Sequence, residues 1–351
     1  MEQRTRAYIA CAAIVGIFLV VQLGALAMVE PFKSAGLQAV EDPQDPTNSL
    51  VYIGAILVAT VFMLAAFRYD VDWAIRLLIV FSAGYISVIV LSVLLPPTIP
   101  LLGFDALALA GAAAVALGLL FYPEWWVIDG TGILMGVGAA GLFGISFGVL
   151  PALVLLTVLA VYDAISVYGT EHMLTLASGV MDLKIPVVLV VPLSLSYSFL
   201  DADNPVEEDE AGTTDEDAAA NGGGEAATDD ADESGDATDD NEDEDAPMDR
   251  DALFIGLGDA VIPTVLVASA GFFAPSSVPS LGVPGLALTL PAATALVGTM
   301  VGLVVLLSLV LKGRAHAGLP LLNGGAIAGY LVGALASGLT LVEALGLGPY
   351  L

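Results

Sequence analysis

The chain has 351 residues, is 57% hydrophobic and carries a formal net charge of -29 at pH 7, with a mean hydropathy of +0.88. Apolar runs of 17 or more residues recur along it, which excludes a water-soluble domain and indicates a chain that crosses a membrane many times. The single cysteine, Cys11, excludes an intrachain disulfide or a cysteine metal centre and reads as a small buried hydrophobe.

In chain order, Ala7 to Val29 is the first span, long enough at roughly 1.5 Å per residue to cross a core of about 30 Å. Arg4 and Arg6 precede it as they would in a cleaved leader, but the run is long for a leader's apolar core. A polar loop, Glu30 to Asn48, leads to the second span, Leu50 to Phe67, and the third runs from Trp73 to Leu95. Pro96, Pro97 and Pro100 stop that helix. The fourth span is Asp105 to Phe121, followed by an interfacial belt at Tyr122 to Trp126. The fifth, Gly130 to Val149, carries Gly132, Gly136, Gly144 and Gly148 at spacings that let neighbouring backbones approach.

The sixth span, Pro151 to Tyr168, holds Asp163, and the pattern then changes. Gly169 to Met181 reads as an interfacial helix. Ile185 to Phe199 is short and interrupted by Pro186 and Pro192, so it reads as extended backbone able to pair with a substrate strand. Asp201 to Asp249 contains more than half of the chain's 38 acidic residues and no Lys or Arg. Such a segment is expected to be disordered and solvated, and its acids lack the spacing and central glycine of a calcium loop. Concentrated there, the charge says little about the membrane body. The acid excess suits a high-salt cytoplasm, and no nucleic-acid partner is expected.

The seventh span, Asp251 to Phe273, opens with Phe254-Ile255-Gly256-Leu257-Gly258-Asp259 and includes Pro263, expected to kink it. The eighth runs from Leu286 to Leu311 and the ninth from Leu319 to Leu339. The expected fold is therefore an all-α polytopic membrane protein with nine transmembrane helices. An acidic cytoplasmic loop at 200–250 would divide a 1–199 part from a 251–351 part. With the N-terminus cytoplasmic, Arg4, Arg6, Arg68, Arg76, Lys184, Arg250, Lys312 and Arg314 fall on or near cytoplasmic loops, leaving Lys33 as the exception. The C-terminus is then outside.

Asp163 and Asp259 are the two acids well inside apolar runs; Asp105, Asp129, Glu171, Asp182 and Glu343 fall near segment ends or in loops. An intramembrane carboxylate implies a function and a partner. Two facing carboxylates would share a proton, one acting as general base toward water and the other as general acid toward a carbonyl oxygen. Gly256 and Gly258 would leave room for a substrate backbone. His172 and His316 lie in interfacial segments without a third ligand, so no metal or cofactor is expected.

Tyr162-Asp163 in one span and Gly256-Leu257-Gly258-Asp259 in the next, divided by a large hydrophilic loop, resemble the presenilin and signal-peptide-peptidase family of intramembrane aspartyl proteases, especially its archaeal presenilin-like members. The family's third signature, Pro-Ala-Leu before the last span, corresponds to Ala317-Gly318-Leu319, followed by Pro320; only Leu319 matches strictly. The resemblance implies cleavage of single-span membrane proteins, a presenilin-like orientation, and action alone or with copies of itself. Three other readings compete. An ion-coupled transporter or channel also keeps intramembrane aspartates, a prepilin-type peptidase also uses Gly-x-Gly-Asp, and polar pairs can simply hold helices together.

Overall fold

The computed structural model describes residues 3–69, 71–96, 99–101, 103–169, 188–193, 197–198, 252–312 and 317–350. Beyond Gly169, which ends a transmembrane helix, the expected interfacial helix at Gly169 to Met181 lies outside the described residues, as do both histidines and the acidic 201–249 segment. Among the described residues nine main helices follow in order: α1 (Gln3–Ser34), α2 (Thr47–Arg68), α3 (Asp72–Leu94), α4 (Ala106–Phe121), α5 (Trp125–Ser146), α6 (Val149–Gly169), α7 (Leu257–Phe272), α8 (Leu290–Val310) and α9 (Gly318–Ala336). A short α10 (Leu341–Ala344), opened by a Thr340–Glu343 capping box, stands in the C-terminal tail. Seven of the helices are long and apolar enough to cross a membrane, whereas α4 and α7 are shorter apolar helices.

Two small ribbons correct the all-α expectation. β1 (Pro100–Leu101) pairs with β2 (Phe104–Asp105), and β3 (Val188–Pro192) pairs antiparallel with β4 (Ala252–Gly256). The second ribbon also shortens the expected seventh span. Leu253, Phe254 and Ile255 lie opposite β-branched Val191 and Val190 and then Leu189, so they gain a sheet partner, and the helix begins only at Leu257. The fifth span is corrected in the other direction. α5 starts at Trp125 with Glu124 as its N-cap, so Trp125, Trp126 and Asp129 belong to the helix and not to a loop before it.

α7 is the centre of the bundle, packed against α1, α5, α6, α8 and α9. Its residues Thr264 to Ala270 are all buried, the mark of a helix enclosed on every side. The helix runs through Pro263 without interruption. α2 lies at the rim, touching α3 and α6, and Val58, Val61 and Phe62 stand exposed on it, as side chains facing lipid do. Arg76 on α3 donates to the carbonyls of Leu119 and Leu120 at 3.4 and 3.2 Å. It thereby satisfies orphan groups at the C-terminus of α4 with the favourable sign of charge.

Small residues and hydrogen bonds hold the helices where a hydrophobic driving force is weak. Ser269 on α7 donates to the Phe147 carbonyl at 2.8 Å, and Asn323 on α9 donates to the Leu156 carbonyl of α6 at 2.9 Å. In α5, a Cβ at Gly144 would fall on Ala268 of α7, and one at Gly136 would meet Val21 of α1. The closest seam joins α8 to α9. A Cβ at Gly298 would fall on the Gly325 carbonyl, one at Gly302 on that of Leu321, and one at Gly329 on that of Thr294. Gly298→Ala is therefore expected to cost about 1–3 kcal/mol by overpacking a backbone contact that cannot yield. Thermal unfolding in detergent should show a lower midpoint; an unchanged midpoint would mean that the seam can open freely.

Candidate active site

Asp163 lies six residues before the end of α6, at Gly169. It is buried, and its Oδ2 accepts the Leu319 N–H at 3.0 Å. Leu319 is the second residue of α9, so its N–H is one of the four donors that a helix leaves unpaired at its start. A carboxylate from another helix thus closes the N-terminus of α9, where the helix dipole favours negative charge. Pro320, next in the first turn, has no N–H to satisfy and fits there without cost.

Asp259 is the third residue of α7, in its first turn. Sequence spacing places it about eight residues into a span; the strand at 252–256 moves it to the helix start. Gly256, with extended backbone, is the N-cap. A Cβ at Gly256 would stand 3.5 Å from Asp259 Oδ2 and one at Gly318 would stand 3.2 Å from the same oxygen. The carboxylate therefore sits between two glycines from different elements. It and Asp163 meet consecutive residues of one turn, Gly318 and Leu319.

The structure thus brings Asp163, Asp259, Gly256, Gly318 and Leu319 to one point, the start of α9. Ala317 is buried as its N-cap. Leu257 is buried, whereas Gly258 is exposed and faces open space apart from Ile262 of its own helix. Tyr162 is 43% exposed, so its ring lies outside the buried cluster. A cavity of about 200 Å³ adjoins Asp259 and Gly318. β4 borders it through Leu253 to Gly256, α1 through Cys11 and Ile14, and α8 through Leu306, Leu307 and Val310, with Leu311 just past its end. Cys11 is only partly buried and lines this cavity, which corrects its reading as a plain core residue.

Two residues outside the expected set belong to the surroundings of the site. Asp129 is buried in α5 and its Oδ1 accepts the Val190 N–H of β3 at 2.7 Å. Glu124, at the start of the same helix, accepts the Ser198 hydroxyl at 2.7 Å. The available signal was the apolar stretch Trp125 to Ile128 after Pro123, which extends the helix back past Asp129. Among the described residues no three His, Cys, Asp or Glu side chains gather as metal ligands would.

Residues 15–339 match the family model described as signal-peptide peptidase, presenilin aspartyl protease. Among solved structures, a presenilin family intramembrane aspartate protease in a C222 crystal form is 32% identical with a TM-score of 0.58, over 93% of this chain and 99% of that one. A presenilin family intramembrane aspartate protease in a P2 form is 32% identical with a TM-score of 0.53, over 92% and 97%. No curated protein matches the chain at a significant level.

Proposed function

Because the chain belongs to the signal-peptide peptidase and presenilin family of aspartyl proteases, we propose that Asp163 and Asp259 form its catalytic pair and that the turn Ala317–Pro320 positions substrate beside them. The protein is an intramembrane aspartate protease, a hydrolase of peptide bonds. The residue assignment is carried by one observation: both carboxylates meet the same helix start, Asp163 on the Leu319 amide and Asp259 against Gly318.

Two carboxylates facing one turn would hold one proton between them. The ionised one takes a proton from water as the water oxygen attacks the scissile carbonyl carbon, and the protonated one donates to the carbonyl oxygen. The resulting diol collapses, its C–N bond breaks, and a proton passes to the departing nitrogen. The pair ends with the single proton it began with. It titrates as a unit, so neither role is attached to one residue.

An extended substrate segment lying along β4 would pass through the cavity beside Asp259, with main-chain pairing holding it in register. Gly256 and Gly318 leave the backbone-sized space that this requires. The seven long apolar helices and the two shorter ones together make nine crossings. In the orientation set by the basic residues, the pair lies near the cytoplasmic face with Arg76 and Lys312, and Lys33 stands at the opposite end, 5.1 Å over the Phe272 ring. The 200–250 loop is then cytoplasmic, and its acids suit a salt-rich cytoplasm. Substrates are single-span proteins with their N-terminus outside. Both carboxylates and the positioning turn come from one chain, so the chemistry needs no second copy.

The test is cleavage of a single-span reporter by purified protein in detergent, with and without a peptide carrying a hydroxyethylene group at the scissile position. That group mimics the tetrahedral diol and should bind at least about 100-fold more tightly than the matching peptide. Absence of cleavage, together with proton or ion flux in liposomes, would instead support the transporter reading.

A further inference from the structure

The mechanism leaves two buried acids, Glu124 and Asp129, without a task. Asp129 is 8% exposed, and a carboxylate placed among apolar helices is expensive unless it does something there. Among the described residues its Oδ1 accepts the Val190 N–H at 2.7 Å. Val190 lies opposite Phe254 in the ribbon. Since its N–H goes to Asp129, it is withheld from β4, and this position is a pair without ladder bonds of its own. The far edge of β3 is therefore fastened to α5 by a charge-assisted bond, stronger than an ordinary amide contact. Val190 and Ala252 are buried in one apolar cluster with Ile128, the neighbour of Asp129. Six residues beyond the strand end at Pro192, Ser198 is held by Glu124 of the same helix. The opposite side of the ribbon, β4, borders the cavity of Asp259 and runs directly into its helix.

We propose that Asp129 is a positioning residue for proteolysis: through the Val190 amide it fixes the β3–β4 ribbon against α5, and so selects which substrate peptide bond reaches the aspartate pair. This rests on the reading of Asp163 and Asp259 as the catalytic pair and of β4 as the strand along which substrate lies. The argument is one of register. A strand that slips by one residue turns every side chain to the other face, so a substrate aligned on a loosened ribbon presents neighbouring bonds to the same two carboxylates. Asparagine offers the same acceptor oxygen as aspartate, and alanine offers none.

Wild type, Asp129→Asn and Asp129→Ala are compared on one single-span reporter, with products identified by mass spectrometry, kcat and KM measured separately, and hydrogen exchange followed at the Val190 amide. Asp129→Asn is expected to keep the wild-type cleavage position and the protection of Val190. Asp129→Ala is expected to spread cleavage over adjacent bonds, to lower kcat about tenfold to a hundredfold with a smaller change in KM, and to expose the Val190 amide to exchange. A lower kcat in Asp129→Ala with an unchanged product pattern would reduce Asp129 to a structural contact and overturn the proposal, as would wild-type protection of Val190. If Asp163→Ala still cleaves, the catalytic assignment fails instead. The Val190 exchange then still decides whether Asp129 holds the ribbon: unchanged protection overturns that too.

Discussion

Asp163→Asn and Asp259→Asn, each made alone, are expected to abolish cleavage of a single-span reporter as completely as the double replacement. General acid and base contribute about 10²–10⁴-fold each in enzymes, and groups that act as one unit lose nearly everything when either is removed. Asparagine keeps the size and the acceptor oxygen at the Leu319 amide but can neither take a proton from water nor give one to a carbonyl. Initial rates for the four proteins, with thermal midpoints to establish folding, decide the matter. Residual cleavage above about one hundredth of wild type in either single variant would be incompatible with a shared-proton pair. Full activity in the double variant would return the two acids to the role of interhelical contacts.

The second large effect is expected at Gly318. A single added carbon there would stand 3.2 Å from Asp259 Oδ2 and 3.4 Å from Leu306 Cδ2, and the two further methyls of valine would extend into the cavity that Gly318 lines. Gly318→Val should lower kcat/KM by about a hundredfold, because displacing a reacting group by an ångström costs that much. Gly324 lies in the same helix, and a Cβ there meets nothing within 4 Å. Gly324→Val serves as the control for helix propensity and should stay within a few-fold of wild type. Equal losses in the two variants would show that Gly318 matters to the helix and not to the site.

The membrane class and the course of most spans were legible because a long apolar run has few alternatives in a bilayer. The expected sixth span, Pro151 to Tyr168, and α6, Val149–Gly169, nearly coincide. The start of α7 was not legible in the same way. A short apolar run such as Leu253-Phe254-Ile255 looks alike as helix or strand, and its strand partner at 188–192 lies more than fifty residues earlier in the chain. At α5 the glycine-rich stretch drew the expected boundary to Gly130, while Pro123 and Glu124 mark the actual one. The order of the Tyr-Asp and Gly-x-Gly-Asp motifs singled out Asp163 and Asp259, the two acids that meet at the start of α9. The amide of Leu319 at Asp163 was beyond reach, since it depends on how α6 and α9 dock. The seam between Gly298 and Gly302 on α8 and Gly325 and Gly329 on α9 keeps a four-residue spacing that the sequence displays openly.

The bond from Leu319 to Asp163 makes the two aspartates unequal as experimental tools. Asp163 closes the end of α9, so Asp163→Ala removes an acceptor from a helix start and costs about 0.5–2 kcal/mol, as the loss of an ordinary cap does. Asp259 instead meets that turn at the glycine at 318, where a Cβ would stand 3.2 Å from its Oδ2. Asp259→Ala is consequently a better inactive form than Asp163→Ala for trapping an uncut substrate, because it disarms the chemistry while the docking turn stays tethered to α6 through Asp163.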